Sequence, residues 1–161
     1  MRKDILKTWL FTWNPNNWTW DDGFYGYNEL RSDISQVGCA ITKWSCGVNK
    51  SICPGDRIFL IRLGTASRGI VASGYAETPV FEGTHWDAEK ARQGKTCRRI
   101  YIRFDKILNV DAGECLPYEQ LRAIDPAYHW SPQASGVLIP TETANNLEYL
   151  WNFQINSPNT H

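Results

Sequence analysis

The chain has 161 residues, 42% hydrophobic and 21% charged, with 17 Lys+Arg balanced by 17 Asp+Glu. The length fits one domain with one core, the composition excludes disordered, collagen-like and disulfide-dense classes, and the zero net charge argues against a uniformly basic nucleic-acid coat. No apolar run approaches the roughly 18 residues that cross a bilayer, so no membrane partner is expected.

The N-terminal MRKDILKTWLF carries basic residues ahead of a short apolar stretch, but Trp13, Asn14 and Pro15 stand where a small-residue cleavage site would be. It reads as a first strand over Lys7 to Trp13, with Trp9, Phe11 and Trp13 on one face and Leu10 and Thr12 on the other. NPNNWTWDDG follows as loop, and Leu30, Ile34 and Val37 repeat at helical spacing over Asn28 to Val37. Pro54-Gly55-Asp56 turns into RIFLIRL, whose faces are Ile58, Leu60, Arg62 and Phe59, Ile61, Leu63, so that Arg62 ends an otherwise apolar face. A turn over Gly64 to Arg68 leads into GIVASGYAE, and the two strands form a hairpin whose Gly69, Ala72, Ser73 and Gly74 leave room for close approach.

Residues 79 to 97 lack a clear period and contain Pro79, Gly83 and Gly94, which predicts a long loop with one helical turn near Ala88. Arg98 to Leu108 alternates, with Ile100, Ile102 and Phe104 inward and a basic, aromatic outer face of Arg99, Tyr101, Arg103 and Asp105. A short helix is predicted over Pro117 to Ala123, then a loop and short strand in HWSPQASGVLIP. A last helix is predicted over Thr141 to Phe153, with Thr141 as N-cap and Leu147, Leu150 and Trp151 on one face. Four or five strands with flanking short helices give the α+β class, built as a small curved sheet or barrel.

Charge is unevenly placed: residues 1 to 103 hold 15 Lys/Arg against 10 Asp/Glu, and residues 104 to 161 hold 2 against 7. Lys90, Arg92, Lys95, Arg98, Arg99 and Arg103 fall in one acid-free run, which reads either as a solvated loop or as a phosphate-binding surface. The five cysteines (Cys39, Cys46, Cys53, Cys97, Cys115) are odd in number and form no C-x-x-C pair. Reduced thiols in a cytoplasmic protein are expected, without a zinc site. The sequence carries no G-x-S-x-G, H-E-x-x-H or Walker motif, and with three histidines, one of them the terminal His161, no catalytic, metal or cofactor site is assigned. Asp21 and Asp22 are adjacent and read as turn or cap residues.

Binding is the better-supported chemistry. Trp9, Trp13, Trp18 and Trp20 lie within twelve positions, too densely for all to enter one core. Aromatic rings beside small residues and isolated polar groups are what a pocket for a flat heterocycle requires.

The ordered short motifs resemble the EVE domains of the PUA-like superfamily, relatives of YTH and ASCH domains, and most of all the EVE-like readers fused to HNH restriction endonucleases. The residues that carry the resemblance are Pro15-Asn16-Asn17-Trp18-Thr19-Trp20-Asp21-Asp22, Trp44 with Gly47-Val48, Gly55-Asp56-Arg57, Gly69 to Gly74, and Trp130-Ser131-Pro132-Gln133-Ala134-Ser135-Gly136. The resemblance runs from about residue 5 to 155 and implies a domain over 1–155, a linker or disordered tail over 156–161, and a PUA-like curved β-barrel with flanking helices. It further implies a non-catalytic reader of DNA containing 5-methylcytosine or 5-hydroxymethylcytosine, flipped into an aromatic pocket. An HNH nuclease partner would lie C-terminal to it, outside these residues. A stand-alone EVE/YTH-like protein that binds RNA or N6-methyladenine is the alternative.

On that basis Trp13, Asn14, Trp44, Ser73, Trp130, Gln133 and Ser135 are the expected pocket residues, and Arg62, Arg68, Lys95, Arg98, Arg99 and Arg103 the expected DNA-backbone contacts. Each has a structural alternative: core packing for the tryptophans, an Asx-turn before Pro15 for Asn14, loop hydrogen bonding for Ser73, Gln133 and Ser135, and plain surface for the arginines. Of Trp18 and Trp20, one is expected to anchor the turn, and Trp151, on a helical stripe, is expected in the core. An enzyme using Cys and His, and an interaction module with structural tryptophans, are the readings from other classes.

Overall fold

A computed structural model describes residues 6–17, 20, 26–65, 67–85 and 87–156. Trp18, Asp21, Asp22, His161 and the tail over 157–161 lie outside the described residues.

In chain order the strands are β1 (Thr8–Trp13), β2 (Ala40–Ser45), β3 (Arg57–Arg62), β4 (Gly69–Ala76), β5 (Phe81–Thr84), β6 (Thr96–Ile107), β7 (Leu116–Pro117) and β8 (Val137–Ile139). The helices are α1 (Tyr27–Val37), α2 (Ala88–Arg92), α3 (Tyr118–Ile124) and α4 (Thr141–Asn156). The described residues thus hold eight strands and four helices of the α+β class. The sheet order is β2-β6-β4-β3-β1-β8, with β5 on β6 and β7 on β4. β1 and β3 run parallel, in a register that puts Trp13 beside Arg62, and the other pairs are antiparallel.

Alternation along the strands sorts the apolar residues onto two faces. The inner face carries Trp9, Phe11, Trp13, Ile58, Leu60, Ile100, Ile102 and Phe104, closed by Tyr27 and Leu30 of α1. The outer face carries Leu10, Phe59, Ile61 and Ile70, closed by Leu121 of α3 and Leu147 and Trp151 of α4. Within β1, β3 and β6 this division follows the period-2 alternation of the sequence.

The sheet curls without closing. β2 and β8 end it, and across the gap the Trp44 indole N–H donates to the Thr12 carbonyl at 3.2 Å. The segment before β8 fills the rest: the Gly136 N–H donates to the Leu10 carbonyl at 2.9 Å, and the Asn49 amide donates to the Gly136 carbonyl at 2.7 Å. The barrel expected from the resemblance is therefore an open one.

Three strands and a cap differ from the sequence reading. β2 was not expected, because exposed Ile41 interrupts the polar side of its alternation. The segment 79–97 is not one long loop: β5 carries the line of β4 onward along the same edge of β6 after an interruption that contains Pro79. There the Glu77 N–H donates to the Tyr101 carbonyl at 2.8 Å and the Tyr101 N–H to Thr78 Oγ1 at 3.1 Å. The helical turn near Ala88 is α2, with the Asp87 carboxylate accepting from the Glu89 and Lys90 N–H groups. β7 is two residues long and too short to show a period. Thr141 is the first residue of α4 and not its cap. The Pro140 carbonyl accepts the first intrahelical bond, from the Ala144 N–H at 2.8 Å, which makes Pro140 the capping position.

At the end of the sheet opposite Trp13, Asp56 is 2% exposed and ties the chain entering β1 to the turn before β3. Its carboxylate accepts from the Trp9 indole at 2.8 Å, the Lys7 N–H at 3.1 Å and the Cys53 N–H at 2.9 Å. Arg57 beside it bridges Glu148 of α4 at 2.8 Å and Asp105 of β6 at 3.4 Å, stapling the last helix across the outer face.

Candidate functional site

The period-2 faces bring one inner aromatic cluster together at the end of β1. Trp13, Trp20 and Tyr27 meet pairwise, with ring centroids 5.2 Å apart for Trp13–Trp20, 5.4 Å for Trp13–Tyr27 and 5.2 Å for Trp20–Tyr27. Trp13 and Tyr27 are near-parallel, at 22°, and Trp20 stands edge-on to both. Trp20 also meets Trp44 at 4.6 Å and Phe104 at 6.3 Å. Its indole is thus the guest of a cage whose walls are Trp13, Tyr27, Trp44 and Phe104. Trp20 is 1% exposed, and among the described residues it is the one non-glycine at positive φ, 60°. Its carbonyl accepts from the Tyr27 N–H at 2.9 Å, which fixes it to the start of α1.

The cage has a cationic rim. The Arg62 guanidinium lies 5.4 Å from the Trp13 ring centroid, as the β1–β3 register dictates, and donates to the Ser67 carbonyl at 3.2 Å. The Tyr27 hydroxyl donates to the Leu108 carbonyl. Burial pushes that phenol well above the ordinary tyrosine range, against the opposing pull of Arg31 and Arg62. At working pH Tyr27 is therefore a neutral donor.

Of the expected pocket residues, the structure brings together Trp13, Trp44 and Ser135, all around Thr12. Ser135 Oγ accepts from the Thr12 N–H at 2.9 Å, so the hydroxyl also serves to close the open edge of β1. Asn14 forms the Asx-turn, its Oδ1 accepting from the Asn16 N–H at 2.9 Å. Gln133 is exposed on the loop before β8.

Two expected residues lie on the other face. Ser73 is fully buried beneath α4, its hydroxyl donating to Asp105 at 2.8 Å and accepting from the Trp151 indole at 2.9 Å. Trp130 is 1% exposed among the outer-face residues. Its indole donates to the Asp125 carbonyl at 3.1 Å, and its ring meets Tyr128 at 4.7 Å. Alternation alone could not place either one, since the phase between strands depends on register. Trp130 thus takes the core-packing place that was its structural alternative.

The expected basic residues do not form one patch. Arg62 and Arg68 stand at the cage end, Arg68 exposed and lying 4.0 Å from the Tyr118 ring centroid. Lys95 is exposed in the turn after α2, and Arg98 faces away from Arg99 and Arg103 by strand alternation. Arg103 pairs with Glu77 at 3.1 Å, and Arg99 donates to the Thr84 carbonyl at 2.6 Å. Sequence reasoning missed Tyr27 as a cage wall. Its signal was its place, directly after Gly26 and one residue before the predicted helix, where a side chain turns back toward the sheet.

Among the described residues no group of three or more His, Cys, Asp or Glu could hold a metal ion, and no helix is long and apolar enough to cross a membrane. All five cysteines are free.

No family model and no curated protein matches the chain. Solved structures do. A Pseudomonas syringae protein from a structural-genomics programme is 16% identical with a TM-score of 0.59, covering 89% of this chain and 98% of that one. A Leishmania major protein described as hypothetical is 11% identical with a TM-score of 0.58, covering 95% and 99%. An ASCH protein from Zymomonas mobilis is 14% identical with a TM-score of 0.50, covering 89% and 95%. At these identities the likeness is one of fold: an open, curled mixed sheet with flanking helices of the ASCH/PUA-like type.

Proposed function

We propose that this chain is a non-catalytic nucleic-acid-binding domain that reads a single base in the aromatic cage, the base taking the place of the Trp20 indole. The observation that supports this most directly is the guest position of Trp20 between Trp13, Tyr27, Trp44 and Phe104, under the Arg62 rim. A cage that already holds one flat heterocycle edge-on has the dimensions and π-faces for another, and a guanidinium at its mouth suits a phosphate.

The finer reading is modified cytosine in DNA, 5-methylcytosine or 5-hydroxymethylcytosine. It rests on the sequence resemblance, as does the HNH nuclease partner, whereas a cytoplasmic location rests on the odd number of cysteines without a C-x-x-C pair. One buried methyl group contributes only about 0.8 kcal/mol, so discrimination against plain cytosine is expected to be about fourfold unless shape adds to it. One observation favours a second reading. Indole is bicyclic and of purine size, which fits a methylated purine such as N6-methyladenine in DNA or RNA better than a single-ring base.

The test is a fixed-salt comparison of matched oligonucleotides carrying cytosine, 5-methylcytosine, 5-hydroxymethylcytosine or N6-methyladenine at one site, with an RNA control. Preference for the modified cytosines supports the first reading and preference for the purine the second. Absence of binding to every oligonucleotide at low salt overturns both.

A further inference from the structure

The outer face of the sheet is only half covered. α3 and α4 close it over β1, β3 and β4, where Leu10, Phe59, Ile61 and Ile70 are buried. Among the described residues the same face of β2, β6 and β5 carries no helix in the outer cluster, and it exposes large side chains: Ile41 is 45% and Tyr101 37% exposed.

Register sets what this surface presents. Lys43 stands directly across from Tyr101, and Ile41 across from Arg103. Arg99 stands between Ser45 and Phe81. The Phe81 and Tyr101 rings stack with centroids 5.7 Å apart and planes within 24°. Around this pair are three cations: Lys43 on the neighbouring strand, and Arg99 and Arg103 two residues to either side of Tyr101 on its own strand. Among the described residues the carboxylate that pairs with them is Glu77, on Arg103; it is 41% exposed, so that ion pair is weak and open to exchange. Among the described residues no ion pair forms with Lys43.

We propose that this uncovered face of β2, β5 and β6 binds single-stranded nucleic acid, with an unpaired base stacked on the Tyr101–Phe81 pair and flanking phosphates on Lys43 and Arg103, while Arg99, held by the Thr84 carbonyl, adds positive charge without being free to reach out. The argument is one of charge and shape together. Same-face residues along a strand recur at about 6.7 Å, a spacing over which an extended nucleic-acid strand also advances by about one phosphate. Exposed ring faces have no use in a duplex, whose bases are already stacked, whereas an unpaired base gains from them. The surface lies on the opposite side of the sheet from the cage, so it would hold sequence next to the base that is read. The inference rests on the nucleic-acid reading above and adds to it the strandedness of the ligand and a second contact surface.

The experiment is anisotropy titration of a labelled oligothymidylate and of its duplex with oligoadenylate, with the wild-type chain and the Tyr101→Ala, Tyr101→Phe and Lys43→Glu variants. Tyr101 and Lys43 are exposed, so these variants keep the fold, which circular dichroism checks. Single strand is expected to bind more tightly than duplex. Tyr101→Ala is expected to weaken it about fivefold or more, and Tyr101→Phe to restore it. Lys43→Glu is expected to weaken it and to lower the slope of log affinity against log salt by about 0.7 or more. If the wild type binds single strand and neither Tyr101→Ala nor Lys43→Glu changes that, this face is not the site, while the base-reading proposal stands. Equal binding of duplex with no effect of Tyr101→Ala overturns the inference in the same way. A loss of binding that tracks loss of a dimer in size-exclusion would assign the face to a second copy of the chain instead. If the wild type binds neither strand form at low salt, the broader reading fails together with this one.

Discussion

Trp20→Ala separates a cage that holds its own guest from an aromatic cluster that is merely core. Trp20 is 1% exposed and touches four rings among the described residues, so its removal costs about 3–5 kcal/mol of stability by the usual measure of buried aromatic truncation. Against a typical total of about 5–15 kcal/mol the variant remains folded at room temperature. The backbone at φ 60° adds a sign that core packing alone lacks. Alanine inherits the left-handed strain of about 1–2 kcal/mol and glycine does not, so Trp20→Gly is expected to be more stable than Trp20→Ala. Urea unfolding measures both. The binding side has the opposite direction. If a base must displace the indole, apparent affinity is reduced by the free energy of displacement, and even about 2 kcal/mol recovered would tighten binding roughly 30-fold. Anisotropy with the preferred oligonucleotide reads this directly. If Trp20→Ala and Trp20→Gly weaken binding in proportion to their loss of stability, Trp20 is a wall and the displacement reasoning is refuted.

Three further outcomes follow from other parts of the structure. Asp56→Ala leaves the Trp9 indole and the Lys7 and Cys53 N–H groups without their acceptor and is expected to cost about 3 kcal/mol or more in urea unfolding; a loss below about 1 kcal/mol would mean that water replaces the carboxylate. Gly64→Ala sets a Cβ 2.2 Å from Asn14 Oδ1 at a φ of +87°, so it is expected to destabilise by about 1–3 kcal/mol, and adding Asn14→Ala should recover only the steric share, leaving the backbone strain. Burial raises the Tyr27 and Tyr128 phenols above their unfolded value of 10.0; the stability they contribute is therefore complete below about pH 10 and lost as pH rises beyond it, at up to about 1.4 kcal/mol per pH unit for each group. Tyr27→Phe and Tyr128→Phe should each flatten that alkaline decline in urea melts, and an unchanged slope in both would contradict the burial argument.

How much of this was legible in the sequence follows from what each signal encodes. The faces of β1, β3 and β6 were readable residue by residue, because alternation is a local property: Trp13 with Phe11, Arg62 with Leu60, Phe104 with Ile102. β2 was not, since Ile41 points outward and is exposed. β5 was hidden by its four-residue length and by the irregular stretch around Pro79, which breaks the period without ending the strand's course along β6. Asn14 was readable as an Asx-turn because that motif is local as well.

The candidate site depended on something that alternation does not contain. Trp130 and Ser73 were grouped with Trp13 because each sits in a short motif that carries the resemblance, yet a side chain's face is known only relative to its own strand or loop. The parallel β1–β3 register is what sets Arg62 against Trp13, and the open edge between β1 and β2 is what lets Trp44 reach Thr12. Neither is a property of any one segment. The antiparallel β2–β6 and β5–β6 registers likewise turn Lys43, Tyr101 and Phe81, drawn from three separate strands, into one surface on the side of the sheet away from the cage. A motif list thus finds the right residue types and distributes them wrongly between two faces. If nucleic acid engages both faces, substitutions at Tyr101 and in the cage will be additive in free energy, because the sheet separates them and they share no partner. Strong non-additivity between Tyr101→Ala and Trp20→Ala would instead mean that one ligand segment bridges the edge of the sheet and couples the two surfaces.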